Sequence, residues 1–230
     1  MSDRHAGEAL ATATVGAALA GTVGSFIGLT VPAAAVGGLS GLVSGWRGVY
    51  DWRTPKGVVA FGLDSTWALG TTTAAVFSHA IATVCGDAGY SEALSSRSNR
   101  HVYARGLQPR RGFATTFGNV VNGAGDLARP RRAKLVTDHE DVHVWQARAF
   151  GPLYPALYLG WIVGAGLVGV ALWATKHRDQ PFRRVVESYA YYLNPFEYWA
   201  YSRDDHWPPH GLADSIGPQR PMVRSFASFR

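Results

Sequence analysis

At 230 residues the chain is long enough to bury a core of its own. Hydrophobic side chains make up 47% of it and the formal net charge is +6, a balance that suits a protein held against an anionic membrane face; no zinc finger, groove-reading helix or RNA-binding signature is visible, so no nucleic-acid partner is expected. The single cysteine, Cys85, excludes an internal disulfide.

From Ala9 to Trp46 there is no charged side chain, and Pro32 divides the run. The pattern predicts two helices, about Glu8 to Leu29 and Ala33 to Trp46, in a tight membrane hairpin; its flanks are too weakly basic and its apolar run too long for a signal peptide. Small residues recur at every fourth position: Thr12, Gly16, Ala20, Gly24 and Gly28, then Gly37, Gly41 and Gly45. Such a glycine zipper lets helix backbones approach closely in lipid. It can pack the hairpin on itself, or bind a second copy or another membrane subunit through Gly16/Gly24/Gly28 and Gly37/Gly41/Gly45. Arg47, Arg53 and Lys56, with Trp46, Tyr50 and Trp52, form an interfacial belt on the cytoplasmic side.

Gly57 to Leu63 is rich in β-branched and aromatic residues and predicts a strand. Trp67 to Cys85 is ambiguous, since three consecutive threonines interrupt an otherwise helical spacing; His79 within it reads as a packed or interfacial residue. After a polar loop from Asp87 to Arg100, His101 to Arg105 and Gly112 to Val121 read as two strands, joined by a loop containing Pro109-Arg110-Arg111. Arg129, Arg131, Arg132 and Lys134 then make a dense positive patch, read as facing a membrane surface.

His139-Glu140-Asp141-Val142-His143 reads H-E-x-x-H. On a helix it sets two imidazoles one turn apart on one face, where they can share a tetrahedral Zn²⁺, and Glu140 stands beside them as a carboxylate able to take a proton from water and return it to a leaving amine. Leu135, Val136, His139, Val142, His143, Gln146 and Phe150 keep helical spacing until Gly151-Pro152 ends the run. The plain alternative is two core histidines on an amphipathic helix. A third ligand is available downstream in Asn194-Pro195-Phe196-Glu197, where Asn194 can cap, Pro195 suits the first helical position and Glu197 falls in the first turn. Glu187 is a rival ligand, and Glu197 could instead serve a capping box.

The pair of motifs resembles the gluzincin class of zinc metallopeptidases. More closely, it looks like a group of small bacterial membrane-associated proteins that join an H-E-x-x-H-x-x-Q helix to a downstream N-P-x-E helix. The resemblance runs from Gly112 to Tyr201. It implies that His139, His143 and Glu197 bind Zn²⁺, that Glu140 is the general base, and that the strand Phe113 to Val121 borders the substrate cleft. Asp141 departs from the class, which favours an uncharged residue there; it lies off the histidine face and is expected to point to solvent.

Leu153 to Thr175 is a second uncharged run, closed by Lys176-His177-Arg178. A single crossing would part Glu197 from the two histidines, so the expectation is a re-entrant hairpin bent at Gly164-Ala165-Gly166; burial in protein, or a downstream helix that folds back, are the alternatives. Phe182 to Arg203 reads as an amphipathic helical segment whose Tyr189, Tyr191, Tyr192, Tyr198 and Tyr201 suit a lipid interface or an oxyanion donor. From Ser202 onward, prolines predict an irregular tail, with His206 and His210 as tail residues.

The reading is an α+β membrane-associated fold: a hairpin over 1–56, a zincin-like domain over 57–203 with the apolar insertion 153–175, and a tail over 204–230. Its function is that of a membrane-associated zinc metallopeptidase acting on a peptide substrate, in a bacterial inner membrane with the metal site on the cytoplasmic side. The rival is a non-catalytic membrane subunit or scaffold.

Overall fold

The computed structural model describes residues 3–84, 87–110 and 112–224; Cys85, Arg111 and the last residues of the tail lie outside the described residues. The fold is mixed α+β, in two compact units, Met1–Pro152 and Leu153–Arg230.

The first unit opens with α1 (Asp3–Ser25) and α2 (Thr30–Trp46), the expected hairpin. Pro32 sits in the first turn of α2, where a missing N–H costs nothing. Gly28 does not extend the small-residue stripe of α1, because it lies in the turn at φ +73°. The remaining glycines are spent on contact between the two helices. A Cβ on Gly16 would sit 2.6 Å from the Gly37 carbonyl oxygen, and one on Gly41 would overlap the Thr12 carbonyl. The Thr12 hydroxyl donates to the Gly41 carbonyl at 2.7 Å, a bond that only such close backbones allow.

The stretch expected as a strand from Gly57 to Leu63 is helix α3 (Pro55–Asp64). Thr54 caps it by accepting from the Gly57 N–H, and Pro55 takes the first position. Gly57, Ala60, Phe61 and Asp64 are its buried face, at helical spacing, while Val58 and Val59 point outward. Helix α4 (Leu69–Val84) resolves the ambiguous run; of its buried threonines, Thr71 returns its hydroxyl to the Ala68 carbonyl and Thr72 donates to the Asp64 carbonyl of α3. Helix α5 (Glu92–Ser95) is a single turn.

The sheet has three short strands, β1 (His101–Val102), β2 (Thr115–Phe117) and β3 (Val120–Asn122), in the order β1-β3-β2. β1 runs parallel to β3, and β2 pairs antiparallel with β3 through Thr116 opposite Val121. The single strand expected over Phe113 to Val121 is therefore a hairpin. Its turn needs glycine twice over: Gly118 has φ +55°, and a Cβ there would lie 2.5 Å from the Thr71 carbonyl oxygen.

Helix α6 (Pro130–Lys134), a π-helical turn Leu135–Glu140 and α7 (Asp141–Phe150) make one continuous helical run. Val136 and Val144 on this run pack against Val102 and Val121 of the sheet and against Ala124, all fully buried. Arg132, in the basic patch, donates to the carbonyls of Ala124 and Gly123 and pins the loop after β3. Gly151, at φ +51°, ends the run.

The second unit is built on α8 (Leu153–Thr175), an unbroken helix of 23 residues. It does not bend at Gly164–Gly166. The chain turns only after Thr175 and comes back as α9 (Phe182–Glu187), a π-helical turn Ser188–Tyr192 and α10 (Pro195–Arg203). Hydrogen bonds mark the antiparallel return: the Trp173 indole donates to the Gln180 carbonyl at 3.1 Å and the Trp161 indole to that of Tyr189 at 3.2 Å. At Gly169 a Cβ would be 3.1 Å from the Val186 Cα, so the missing side chain sets the spacing. The segment after α10 is irregular, yet it packs: Ile216 is buried, and the Ser188 hydroxyl and Arg184 donate to the Leu212 carbonyl. Among the described residues, two helical stretches are long and apolar enough to cross a membrane, His5–Ser25 in α1 and Leu153–Thr175 in α8.

Candidate metal centre

His139 is the penultimate residue of the π-helical turn and His143 lies in the first turn of α7. Both are buried, with ring centroids 4.9 Å apart and the two Nε2 atoms separated by 3.2 Å. The Nδ1 of His143 lies 2.8 Å from the Gln146 amide oxygen, which can only accept. Nδ1 therefore carries the proton, and the Nε2 lone pair faces His139. Gln146, three residues on, is thus the orienting partner of one imidazole.

Glu140 is buried next to this pair, and the Thr116 hydroxyl on β2 donates to its Oε2 at 2.8 Å. β2 is an edge of the sheet. Asp141 is not solvent-facing as expected: it pairs with Arg100, both side chains being largely buried. That pairing explains how a charged residue is tolerated at this point of the motif.

The helix that carries the histidines is fixed in rotation by a buried ion pair. Arg148, 1% exposed, donates from Nε to Asp64 Oδ1 at 2.9 Å and from a terminal nitrogen to Oδ2 at 2.8 Å. Tyr50 and Asn119 also donate to Oδ2. Burial and the neighbouring Asp64 push the Tyr50 hydroxyl well above the usual phenol range, so it remains a donor. A second pair of histidines is structural: His79 lies 2.9 Å from the Tyr103 hydroxyl and edge-on to His101, consistent with its reading as a packed residue. Burial, then Arg47, pushes His79 down to about 3.

In the second unit, Asn194 caps α10 by accepting from the Phe196 N–H at 3.1 Å, and Pro195 follows at the first position. Glu197 is 3% exposed and its Oε1 accepts from the Tyr158 hydroxyl at 2.6 Å. Glu187, the rival, makes an ion pair with Arg183 at 3.5 Å. An apolar groove of about 810 Å³ runs along α8 past Leu157, Gly160, Trp161 and Gly164 and is closed by Tyr189 and Tyr198.

His139 and His143 in the first unit and Glu197 in the second are each buried. With Zn–N bonds of about 2.0–2.1 Å, tetrahedral geometry puts two nitrogens about 3.3 Å apart, and the observed 3.2 Å between the Nε2 atoms fits it. Two imidazoles and one carboxylate form a donor set of catalytic zinc, whose fourth position belongs to water or substrate. Thr116, Gln146, Tyr158 and Arg100 are the residues that sequence reasoning missed as partners of the site; only Gln146, at helical spacing from His143, carried a signal that could have found it. No protein-family model matches the chain, and no curated protein or solved structure matches it.

Proposed function

We propose that this chain is a membrane-associated zinc metallopeptidase of gluzincin-like type, hydrolysing peptide bonds near the membrane surface. The observation that carries the reading is the buried His139–His143 pair, its Nε2 atoms 3.2 Å apart, with Glu140 alongside; the buried Glu197 of the second unit is the third ligand we assign to it. His139, His143 and Glu197 would hold Zn²⁺, and the chemistry it supplies when bound is polarisation of the scissile carbonyl and acidification of water. Glu140 takes the proton from the attacking water and passes it to the leaving amine. Thr116 holds one oxygen of that carboxylate in place. The edge strand β2 offers main-chain groups to an extended substrate.

Membrane association is supported by α8, whose Leu159, Val163 and Leu167 are 60–68% exposed. Large apolar side chains gain roughly 1–2 kcal/mol each on leaving water, so a lipid environment stabilises what an aqueous one does not. On this reading the open end of the first hairpin, with Arg47, Arg53 and Lys56, lies on the cytoplasmic face of a bacterial inner membrane.

The test is elemental analysis of protein purified without chelator. About one zinc per chain is expected in wild type, lost in His143→Ala and in Glu197→Ala, while Glu140→Gln retains zinc and loses cleavage of a quenched peptide library. Absence of zinc from wild type overturns the proposal.

A further inference from the structure

We infer that Tyr158, on the apolar helix α8, is a positioning residue for the metal centre; the inference rests on the zinc reading above. Tyr158 grips the Asn194-Pro195-Phe196-Glu197 segment through three different groups. Its hydroxyl donates to Glu197 Oε1 at 2.6 Å, its carbonyl accepts from the Asn194 side-chain amide at 3.3 Å, and its ring stacks at 23° on Phe196. The same Asn194 side chain, through its oxygen, caps α10.

The physical consequence concerns the carboxylate. The terminal torsion of a glutamate is broad and roughly two-fold, so an unheld Glu197 would sample orientations that aim neither oxygen at an ion. A phenol at 2.6 Å removes that freedom before any metal arrives, and the amide bond from Asn194 fixes where the first turn of α10 begins. Partners of this kind, one step removed from the ion, typically contribute 10–100-fold to metal affinity. Tyr158 thereby makes retention of zinc depend on α8, although α8 itself supplies no ligand to the cluster.

The experiment is zinc competition against a chromophoric chelator, with full-length protein in bilayer discs, for wild type, Tyr158→Phe, Asn194→Asp and Glu197→Ala. Tyr158→Phe should keep the wild-type circular dichroism and weaken zinc by about 10–100-fold. Its Co²⁺-loaded form should show a shifted visible band, because the coordination of Glu197 changes; a merely structural role would leave that band in place. Asn194→Asp keeps the capping oxygen but loses the donor to Tyr158, and should weaken zinc in the same direction. It also carries the test if Tyr158→Phe fails to fold. Wild-type affinity with an unchanged cobalt spectrum in Tyr158→Phe overturns the inference and leaves the zinc reading standing. A wild-type protein that binds no zinc overturns both.

Discussion

The Asp64–Arg148 pair joins α3 to the helix that carries the histidines, and its removal has a calculable cost. Both side chains are almost completely buried, and Asp64 accepts from two Arg148 nitrogens, Tyr50 and Asn119. Replacing Asp64 with Leu leaves a guanidinium buried without its counter-ion, which costs about 3–5 kcal/mol. Arg148→Met strands the carboxylate instead, at a similar cost. If the two effects were independent, the double variant would lose about 6–10 kcal/mol, comparable to the whole stability of a domain. They are not independent, because one charge is costly only when the other is missing. In the double variant the Tyr50 hydroxyl hydrogen loses its acceptor and the Asn99 carbonyl loses Arg148, which engages it at 2.6 Å, while the Asn119 amide keeps its contact with the Tyr50 oxygen at 3.5 Å. At about 1–3 kcal/mol for each such group, partly relieved by repacking, the double variant should be no less stable than the worse single one. Urea unfolding of all four proteins in detergent measures the cycle, with an expected coupling of at least about 2 kcal/mol. Additivity within about 0.5 kcal/mol would refute the reasoning.

Stability should also fall with acid. His79 is depressed from 6.5 to about 3, first by burial and then by Arg47, and His101 beside it is depressed as well. The unfolded chain therefore takes up protons below about pH 6.5 that the folded chain refuses. Stability is full above that pH and is lost as pH falls toward 3, by up to about 1.4 kcal/mol per pH unit for each proton. Unfolding free energies at pH 7.5 and 5.5 should show a shallower decline in His79→Gln than in wild type; parallel declines count against it. Glycine replacements separate packing from propensity: Gly62→Ala in α3 meets nothing within 4 Å and should stabilise by up to about 1 kcal/mol. Gly41→Ala drives a methyl into the Thr12 backbone and should cost about 1–3 kcal/mol. Melting temperatures that move together in these two variants would be inconsistent with a glycine-dependent α1–α2 contact.

What could be read from the chain was what local physics decides. The motif helix, the Asn194-Pro195 start of α10 and the α1–α2 hairpin each rest on spacing, a cap or a break within a few residues. The misreading of α3 has a local cause too: Val58 and Val59 weighed toward a strand, while Thr54-Pro55 already announced a helix. Gly118 was read as part of a strand, although a positive φ and contact with Thr71 required it to turn. The bend assigned to α8 came from topology, and helical glycines in an apolar run did not supply it. Partners far apart in sequence were out of reach. Asp64 and Arg148 are 84 residues apart, and Tyr158 and Glu197 are 39 apart. The two π-helical turns carry no pattern in residue type that sets them apart from α-helix.

The unbroken α8 and its return limb raise a question of parity. A lone traverse hands the chain to the far leaflet, whereas a traverse followed by a return restores it to the leaflet it left. Level by level, Gln180 meets Trp173, Tyr189 meets Trp161 and Asn194 meets Tyr158, so Glu197 arrives one turn from where α8 began. In a bilayer, no reversal of orientation could part this carboxylate from the start of α8: flipping the insertion carries both ends of the hairpin together.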